Sequence, residues 1–448
     1  MADKSCDVMI IGAGQAAEEI VERCCATGMR VFVAERDKAG GSCVNFGCTP
    51  TKTALESARI AALARRGDEF GIHIPAVQPD YARTLELARQ KAEQSNKGVT
   101  NRFGDKLIHG QARLAGREGE KLVVIVGEDR WLADKVVIDV GTRSFMPKIE
   151  GLTDVPCITA ENWLNERTLP RRIALLGGGY ISIEMCQFYR RMGTEEVTVV
   201  ERGPQILAHE DPDVSKEVRN MLEAEGVRFR LSTKLDSIGK NGDSIVLHGP
   251  ETFEVDALFV ATGRRPNTDD LGLEVLGIDH NEKGYIRVDK NLRTNVPGVF
   301  ASGDARGGLM FTHTAWDDAR VIVSTLLGDG KHTTDRVVPY AVFTDPPLGR
   351  AGMSEADARG AGRQFETLRF EMSRNAHADE ARQTIGSIKL LVEKETEAIL
   401  GASVFGASGA DLIHIYSLMM AARLPASALR NAVIAHPTYA EAIQNVLL

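Results

Sequence analysis

The stretch "DVMIIGAGQAAEEIVERCCATGMRVFVAERD" runs an apolar strand into a glycine turn, then a helical segment closed by Gly28, then a second apolar strand. The pattern returns as "RRIALLGGGYISIEMCQFYRRMGTEEVTVVERG". A chain that carries this β-α-β unit twice is confined to α/β folds with parallel sheets, and two Rossmann-like dinucleotide-binding domains are its simplest reading. In the first copy Gly12, Gly14 and Ala17 form a GxGxxA turn. The first glycine makes the turn, the second admits a pyrophosphate, and the small third residue seats the helix with its N-terminus toward the phosphates. Glu35 ends the next strand, placed for a ribose 2′-hydroxyl. Gly177, Gly179 and Ser182 repeat the logic, with Glu201 in the acid's place. An acid there repels a 2′-phosphate and favours NADH over NADPH, although Arg202 beside it offsets part of that repulsion.

Each unit is followed by a β-rich stretch ending in an apolar strand, "KVVIDVGT" and "DALFVATG", and a third strand-glycine unit spans "GVFASGDARGG". From about Val337 the pattern changes to alternating strands ("SIKLLVEK", "ILGASVFG") with two helical stretches, a separate α+β domain. The 448 residues are 43% hydrophobic and 26% charged, with a net charge of −8, which argues against a general nucleic-acid or anionic-membrane binder. No uncharged run approaches the ~20 residues needed to span a bilayer. The start lacks signal-peptide anatomy, and most of the seven scattered cysteines read as reduced, so a cytoplasmic location is expected. Cys24, Cys25, Cys186, Met419 and Met420 read as core.

"GGSCVNFGCTPTK" sets Cys43 and Cys48 five positions apart among glycines. No second ligand pair elsewhere makes a metal site, and none is expected. Five residues of regular helix rise about 7.5 Å, beyond the roughly 7 Å that a disulfide spans between Cα atoms. Bridging the pair needs a distorted turn, for which Gly40, Gly41 and Gly47 supply the freedom. Near the C-terminus "HPTYAE" places His436 and Glu441 five residues apart, with Thr438 as a candidate helix cap. An imidazole oriented by a carboxylate suits a general base near pH 7.

These motifs, with "GGGYISIE" and "ATGRRPN", occur in an order that resembles the pyridine nucleotide-disulfide oxidoreductases along essentially the whole chain. That is the flavoprotein family of glutathione reductase, dihydrolipoyl dehydrogenase and mercuric reductase. The resemblance implies an FAD domain in two parts (1–145 and 264–335), an NAD(P)H domain (146–263) and an interface domain (336–448) that forms a homodimer. It puts FAD on Gly12, Gly14, Ala17 and Glu35, with Asp304 on the ribitol chain. Gly41, Ser42, Lys52, Gly141, Thr142, Gly263 and Gly303 complete the cofactor contacts, while Gly177, Gly179 and Glu201 hold the pyridine nucleotide. Cys48 becomes the thiol against the flavin and Cys43 the thiol that attacks substrate. Lys52 pairs with Glu184 beside the flavin's reactive nitrogen, and His436, polarised by Glu441, serves the dithiol of the other subunit.

The implied activity is reduction of a small disulfide or other thiol-reactive oxidant by NAD(P)H through FAD and the Cys43–Cys48 bond. "GCTPTKT", "FTHTAWDDAR" and "LRNAVIAHPTYAE" look most like the mercuric-reductase-like branch, which also holds enzymes that clear reactive chlorine or hypothiocyanous species. True mercuric reductases use a C-terminal cysteine pair, and here no cysteine follows Cys186. A dihydrolipoyl dehydrogenase, a Hg(II), Cu(II) or hypothiocyanous acid reductase, and a non-enzymatic flavin redox sensor are the alternatives. Glu201 counts against glutathione reductase.

Overall fold

Both glycine turns leave the carboxyl ends of parallel strands in the computed structural model, which describes residues 4–328 and 330–448. In the first sheet, Lys4–Ile11 lies between Val31–Glu35 and Asp129–Ile138, parallel to both. Val8, Met9 and Ile10 are fully buried, as a strand covered on both faces requires. The strand Asp129–Ile138 is shared along its length. Lys121–Val126 pairs antiparallel with its first half, and Val299–Ala301 pairs parallel with its last residues. The late "GVFA" segment therefore returns to the first sheet.

The second sheet orders Val227–Arg230, Glu196–Val200, Arg172–Leu176 and Ala257–Val260, all parallel, and a three-stranded antiparallel meander over 237–255 accompanies it. These are two Rossmann-like units. A short ribbon, Thr142–Ser144 against Arg264–Pro266, ties together the points where the chain leaves and re-enters the first unit.

The third unit is α+β. Its antiparallel sheet runs Tyr340–Val342, Leu348–Gly352, Ile399–Phe405, Ser387–Glu393, Phe365–Glu371. Here the sequence reading needs two corrections. The strands Ser387–Glu393 and Ile399–Phe405 do not alternate between core and solvent, because both faces are buried. Ile388, Leu390 and Val392 join a core with Ile413 and Tyr416 of the helix Gly409–Ala421. Lys389, pointing to the opposite face by the two-residue period, is buried against acids before and within the helix Pro212–Ala224. Five α-helices also replace the two helical stretches expected. Four span only five or six residues, too short to show a 3.6-residue period, and Ser354 and Asn375 nucleate two of them by side-chain caps.

One core crosses all three units. Ala54 and Ala58 of the helix Cys48–Arg65 belong to it, with Ile173, Phe188 and Leu175 from the second unit and Val342, Leu348 and Phe405 from the third. The site lies above this junction. Packing in the third unit is tight at Gly349, where an added Cβ would lie 2.3 Å from the Gly409 carbonyl oxygen and 2.7 Å from the Ile413 Cβ. We therefore expect Gly349→Ala to destabilise the fold by about 1–3 kcal/mol, seen as a lower denaturant midpoint; an unchanged midpoint would mean the helix shifts freely.

Candidate active site

Cys43 and Cys48 belong to two consecutive helices. Gly41–Asn45 carries the first cysteine, and Cys48–Arg65 begins with the second. Between them the Gly47 amide folds back onto the Ser42 carbonyl at 2.6 Å. A Cβ on Gly47 would sit 2.8 Å from that oxygen, so the break demands glycine. Gly40 and Gly41 enter the first helix at φ +94° and +62°. This is the distorted turn that a bridge between these cysteines requires, and both thiols are free.

The two thiols are electrostatically coupled, and the Thr312 hydroxyl lies 3.2 Å from Cys48 Sγ. Coupling to Cys43, with help from Thr312 and the charge of Lys52, outweighs desolvation by the surrounding protein and draws the thiol of Cys48, whose side chain is itself exposed, down to about 6. Cys43 is pushed up, first by the same coupling and then by burial. The reduced pair thus keeps one thiolate at neutral pH, on Cys48, at the start of a helix where the dipole also favours negative charge.

Lys52 stands one helical turn after Cys48. Its ammonium lies 2.7 Å from Glu184 Oε2 and 4.5 Å from the centre of the Phe343 ring. Glu184, on the helix Tyr180–Met192, is buried, and its other oxygen accepts the Phe343 amide at 2.9 Å. Both carboxylate oxygens are satisfied, which makes a buried charge tolerable.

The two glycine turns are built alike. A Cβ on Gly12 would meet the Asp139 carbonyl at 2.4 Å, and one on Gly177 the Ala261 carbonyl at 2.5 Å. Gly14 is constrained from below as well, because its Cβ would fall 2.5 Å from Asp139 Oδ2. Glu35 accepts the Ala13 and Asp37 amides at 2.8 Å each, and Glu201 likewise accepts the Gly178 and Gly203 amides. Gly12, Glu35, Arg36, Gln111 and Ala112 line a groove beside the first turn. Gly41 approaches the same turn, its added Cβ falling 3.4 Å from Gly14 Cα. A turn bare of side chains, flanked by this groove and by the cysteine segment, fits a dinucleotide running toward the thiols.

Asp304 accepts the Thr142 hydroxyl at 2.8 Å, and Thr142 in turn accepts Arg264 Nε at 2.6 Å. Gly141, Gly263 and Gly303 border this network, at the ribbon and at the end of the strand Val299–Ala301. Ser42 lies on the first cysteine helix, and Ala17 opens the helix Ala17–Ala26. His436 Nδ1 is 3.0 Å from Glu441 Oε1, with 68% of the imidazole side chain exposed. The Thr438 amide, then His436, hold the Glu441 carboxyl below its usual range. The structure corrects the role of Thr438. Its hydroxyl donates to the Ala435 carbonyl, and Ala440 occupies the cap position of the helix Glu441–Asn445.

Cys24 and Cys186 are fully buried, and Cys25 is half-buried against the same core as Cys24. Sequence reasoning passed over Thr312, Phe343 and Asp139. Asp139 is buried beneath the first turn, where it accepts the Ser302 hydroxyl and the Ala17 amide, and burial pushes its carboxyl up to about 7. Its signal was an acid within the apolar "KVVIDVGT". Phe343 acts through its amide and ring face, which no motif records. Among the described residues no helix is long and apolar enough to cross a membrane.

A dithiol above a half-buried ion pair, between two dinucleotide-type turns, defines the flavoprotein disulfide reductases. The profile "Pyridine nucleotide-disulphide oxidoreductase" matches residues 6–319, and that family's dimerisation domain matches 338–447. The chain belongs to this family. It is an oxidoreductase acting on sulfur groups, with FAD and a pyridine nucleotide as cofactors. It is 32% identical to the probable pyridine nucleotide-disulfide oxidoreductase RclA of Escherichia coli (strain K12), covering 98% of each chain. Identity is 31% to a dihydrolipoyl dehydrogenase of Chlorobaculum tepidum (98% and 95% covered) and 28% to a mercuric reductase of Staphylococcus aureus (99% and 82%). The Cu(II) complex of the HOCl-induced flavoprotein disulfide reductase RclA from Escherichia coli superposes with a TM-score of 0.89 at 30% identity, covering 100% of this chain and 99% of that one.

The Cys48 environment has a direct consequence for pH. Its pKa lies below the ordinary thiol value, so the reduced protein keeps the thiolate until pH falls through about 6. Thiolate absorbance of the reduced protein, titrated from pH 9 to pH 4.5, should be lost with that midpoint. A midpoint near 8.5 would contradict the coupling to Cys43.

Proposed function

We propose that this chain passes electrons from NADH to a thiol-reactive oxidant through a Cys43–Cys48 disulfide, in a homodimer whose active sites each take His436 from the partner. The observation that carries the reading is the Cys43–Cys48–Thr312 cluster standing one turn above the Lys52–Glu184 pair. Segments 1–145 and 264–335 form the FAD domain in this reading, 146–263 the NADH domain, and 336–448 the interface. Gly12, Gly14, Ala17, Glu35, Gly41, Ser42, Lys52, Thr142 and Asp304, with the turns at Gly141, Gly263 and Gly303, hold FAD. FAD, when bound, supplies two-electron transfer between the nucleotide and the dithiol.

The protein's own steps follow from the thiol chemistry. Two electrons and two protons open the Cys43–Cys48 bond. His436 takes the Cys43 proton, the thiolate so formed attacks one sulfur of an external disulfide to give a mixed disulfide, and the departing thiolate takes that proton back from His436. The Cys48 thiolate then attacks Cys43 sulfur, releasing the second thiol and restoring the bond. Glu441 fixes the tautomer of His436 and raises its basicity. The exposure of His436 supports service to a second copy.

The oxidant is the finer part of the proposal. RclA is described as HOCl-induced and was solved with Cu(II). We read this chain toward the same group, with Cu(II) and oxidised sulfur products of reactive chlorine as candidate acceptors. The dihydrolipoyl dehydrogenase reading rests on 31% identity over nearly the whole chain. Steady-state rates with NADH against Cu(II), Hg(II), hypothiocyanous acid, glutathione disulfide and lipoamide separate the two. Highest kcat/KM with lipoamide would overturn the oxidant reading.

Glu201 supports NADH because its fixed carboxylate repels a 2′-phosphate. NADH should exceed NADPH in kcat/KM, and Glu201→Gln, which keeps an acceptor for the loop amides, should narrow the gap; higher native kcat/KM with NADPH would refute it. Cys43→Ser should keep FAD and lose disulfide turnover to below a few percent of wild type. Loss of a general base costs ~10²–10⁴-fold. His436→Ala should slow the oxidative half-reaction by that order while NADH still reduces the flavin normally. Heterodimers of Cys43→Ser and His436→Ala subunits should regain one complete site, and inactive verified heterodimers would rule out sharing.

A further inference from the structure

Thr312 touches Cys48, and the residue before it belongs to an aromatic stack. The Phe311 ring lies 5.1 Å from Tyr340 at an interplanar angle of 13°, and 5.5 Å from His313 at 11°. Tyr180, which opens the second nucleotide-binding helix, packs on Phe311 at 5.8 Å and 40°. The Tyr340 hydroxyl donates to Glu210 Oε1. Glu210 is 5% exposed, with Arg350 3.6 Å from its other oxygen, an oxygen left without a hydrogen bond. Nothing in the thiol chemistry above uses Tyr340 or Glu210, yet Glu210 is a buried acid whose hydrogen bond goes to a tyrosine. Such a bond fixes orientation, because the alternative leaves both groups unpaired in a dry site.

We propose that Tyr340 is a positioning residue, tethered through its hydroxyl to Glu210, whose ring fixes Phe311 and so holds the Thr312 hydroxyl against Cys48. Phe311 is the residue that precedes the helix Thr312–Leu327, and its backbone is extended. Rotation of this residue would move Thr312 directly. The stack spans the units, since Glu210 belongs to the second, Tyr340 to the third and Phe311 to the returning segment of the first. The placement of one thiolate's hydrogen-bond donor is thereby tied to how the three units dock.

The inference rests on the reading of Cys48 as the thiol beside the flavin, and the test separates the two. In a Cys43→Ser background, FAD-loaded protein should show thiolate-to-flavin charge-transfer absorbance without any reductant. Cys48 in that background has Thr312, Lys52 and Glu184 as its polar neighbours, and Tyr340→Leu and Phe311→Leu replace none of them, so these variants act on Cys48 only by moving Thr312. Titrating the absorbance with pH should give a midpoint about one unit higher for Thr312→Val, and for Tyr340→Leu, a tenfold change in the thiolate equilibrium. Tyr340→Phe keeps the stack and should fall between these and the parent. If Tyr340→Leu does not fold, Phe311→Leu should give the same rise. Midpoints unmoved in Tyr340→Leu or Phe311→Leu while Thr312→Val shifts would overturn the stack's role. An unmoved Thr312→Val overturns the contact itself, and absence of the band in the parent overturns the placement of Cys48 and the inference with it.

Discussion

The carboxylate of Glu184 accepts the Lys52 ammonium on one oxygen and the Phe343 amide on the other. Lys52 comes from the helix that begins with Cys48, Glu184 from the helix Tyr180–Met192 of the second unit, and Phe343 from just beyond the first strand of the third unit. One buried anion therefore closes the junction of three separately folded segments. A buried carboxylate that loses its cation is left uncompensated, so the three segments are held to the one arrangement that satisfies it. The cysteine helix inherits its position from this constraint, since its first turn cannot slide without parting Lys52 from Glu184.

A second polar layer lies farther from the thiols and follows the same rule. Arg350 reaches Asp211 and Ser403, and Lys389 reaches Asp211, Asp213 and Glu355. Arg350 and Lys389 belong to the third unit's sheet, whereas Asp211 and Asp213 belong to the second unit. Buried pairs of this kind add little stability over an apolar interface, but each fixes an orientation that apolar packing alone would leave degenerate. Glu210 joins this layer to the aromatic stack through Tyr340 and Arg350.

Much of this architecture was legible in the sequence wherever a backbone constraint forces a residue type. Gly12 and Gly177 are required by a neighbouring strand's carbonyl less than 3 Å from any Cβ, and the motif records that requirement. The turn between Cys43 and Cys48 was readable for the same reason, through Gly40, Gly41 and Gly47. Contacts made across units by groups of ordinary type left no such trace. Thr312 is one threonine among many until Phe311 and Cys48 are placed beside it, and Phe343 contributes an amide that every residue but proline carries. The third unit's strands were misread as alternating because burial on their second face comes from a helix elsewhere in the chain, against which Lys389 packs. Glu35 and Glu201 were read as ribose acids, while the structure gives each a prior task in bracing its own loop.

That bracing bears on how one carboxylate can serve the fold and, on the NADH reading proposed above, specificity as well. An acid free to rotate would turn away from a phosphate, and its repulsion would be weakened by water and by Arg202. Glu201 is pinned by two loop amides, so its charge keeps one position, and on the NADH reading proposed above that is where a 2′-substituent would approach, with lone pairs left for a hydroxyl. The same logic governs the thiols. Cys48 holds its charge because Cys43, Thr312 and Lys52 are fixed around it before any substrate arrives, and preorganised donors need no rearrangement when the charge forms. Fixing those donors is the task of the half-buried Lys52–Glu184 pair below and, as proposed above, of the Glu210–Tyr340–Phe311 stack beside it.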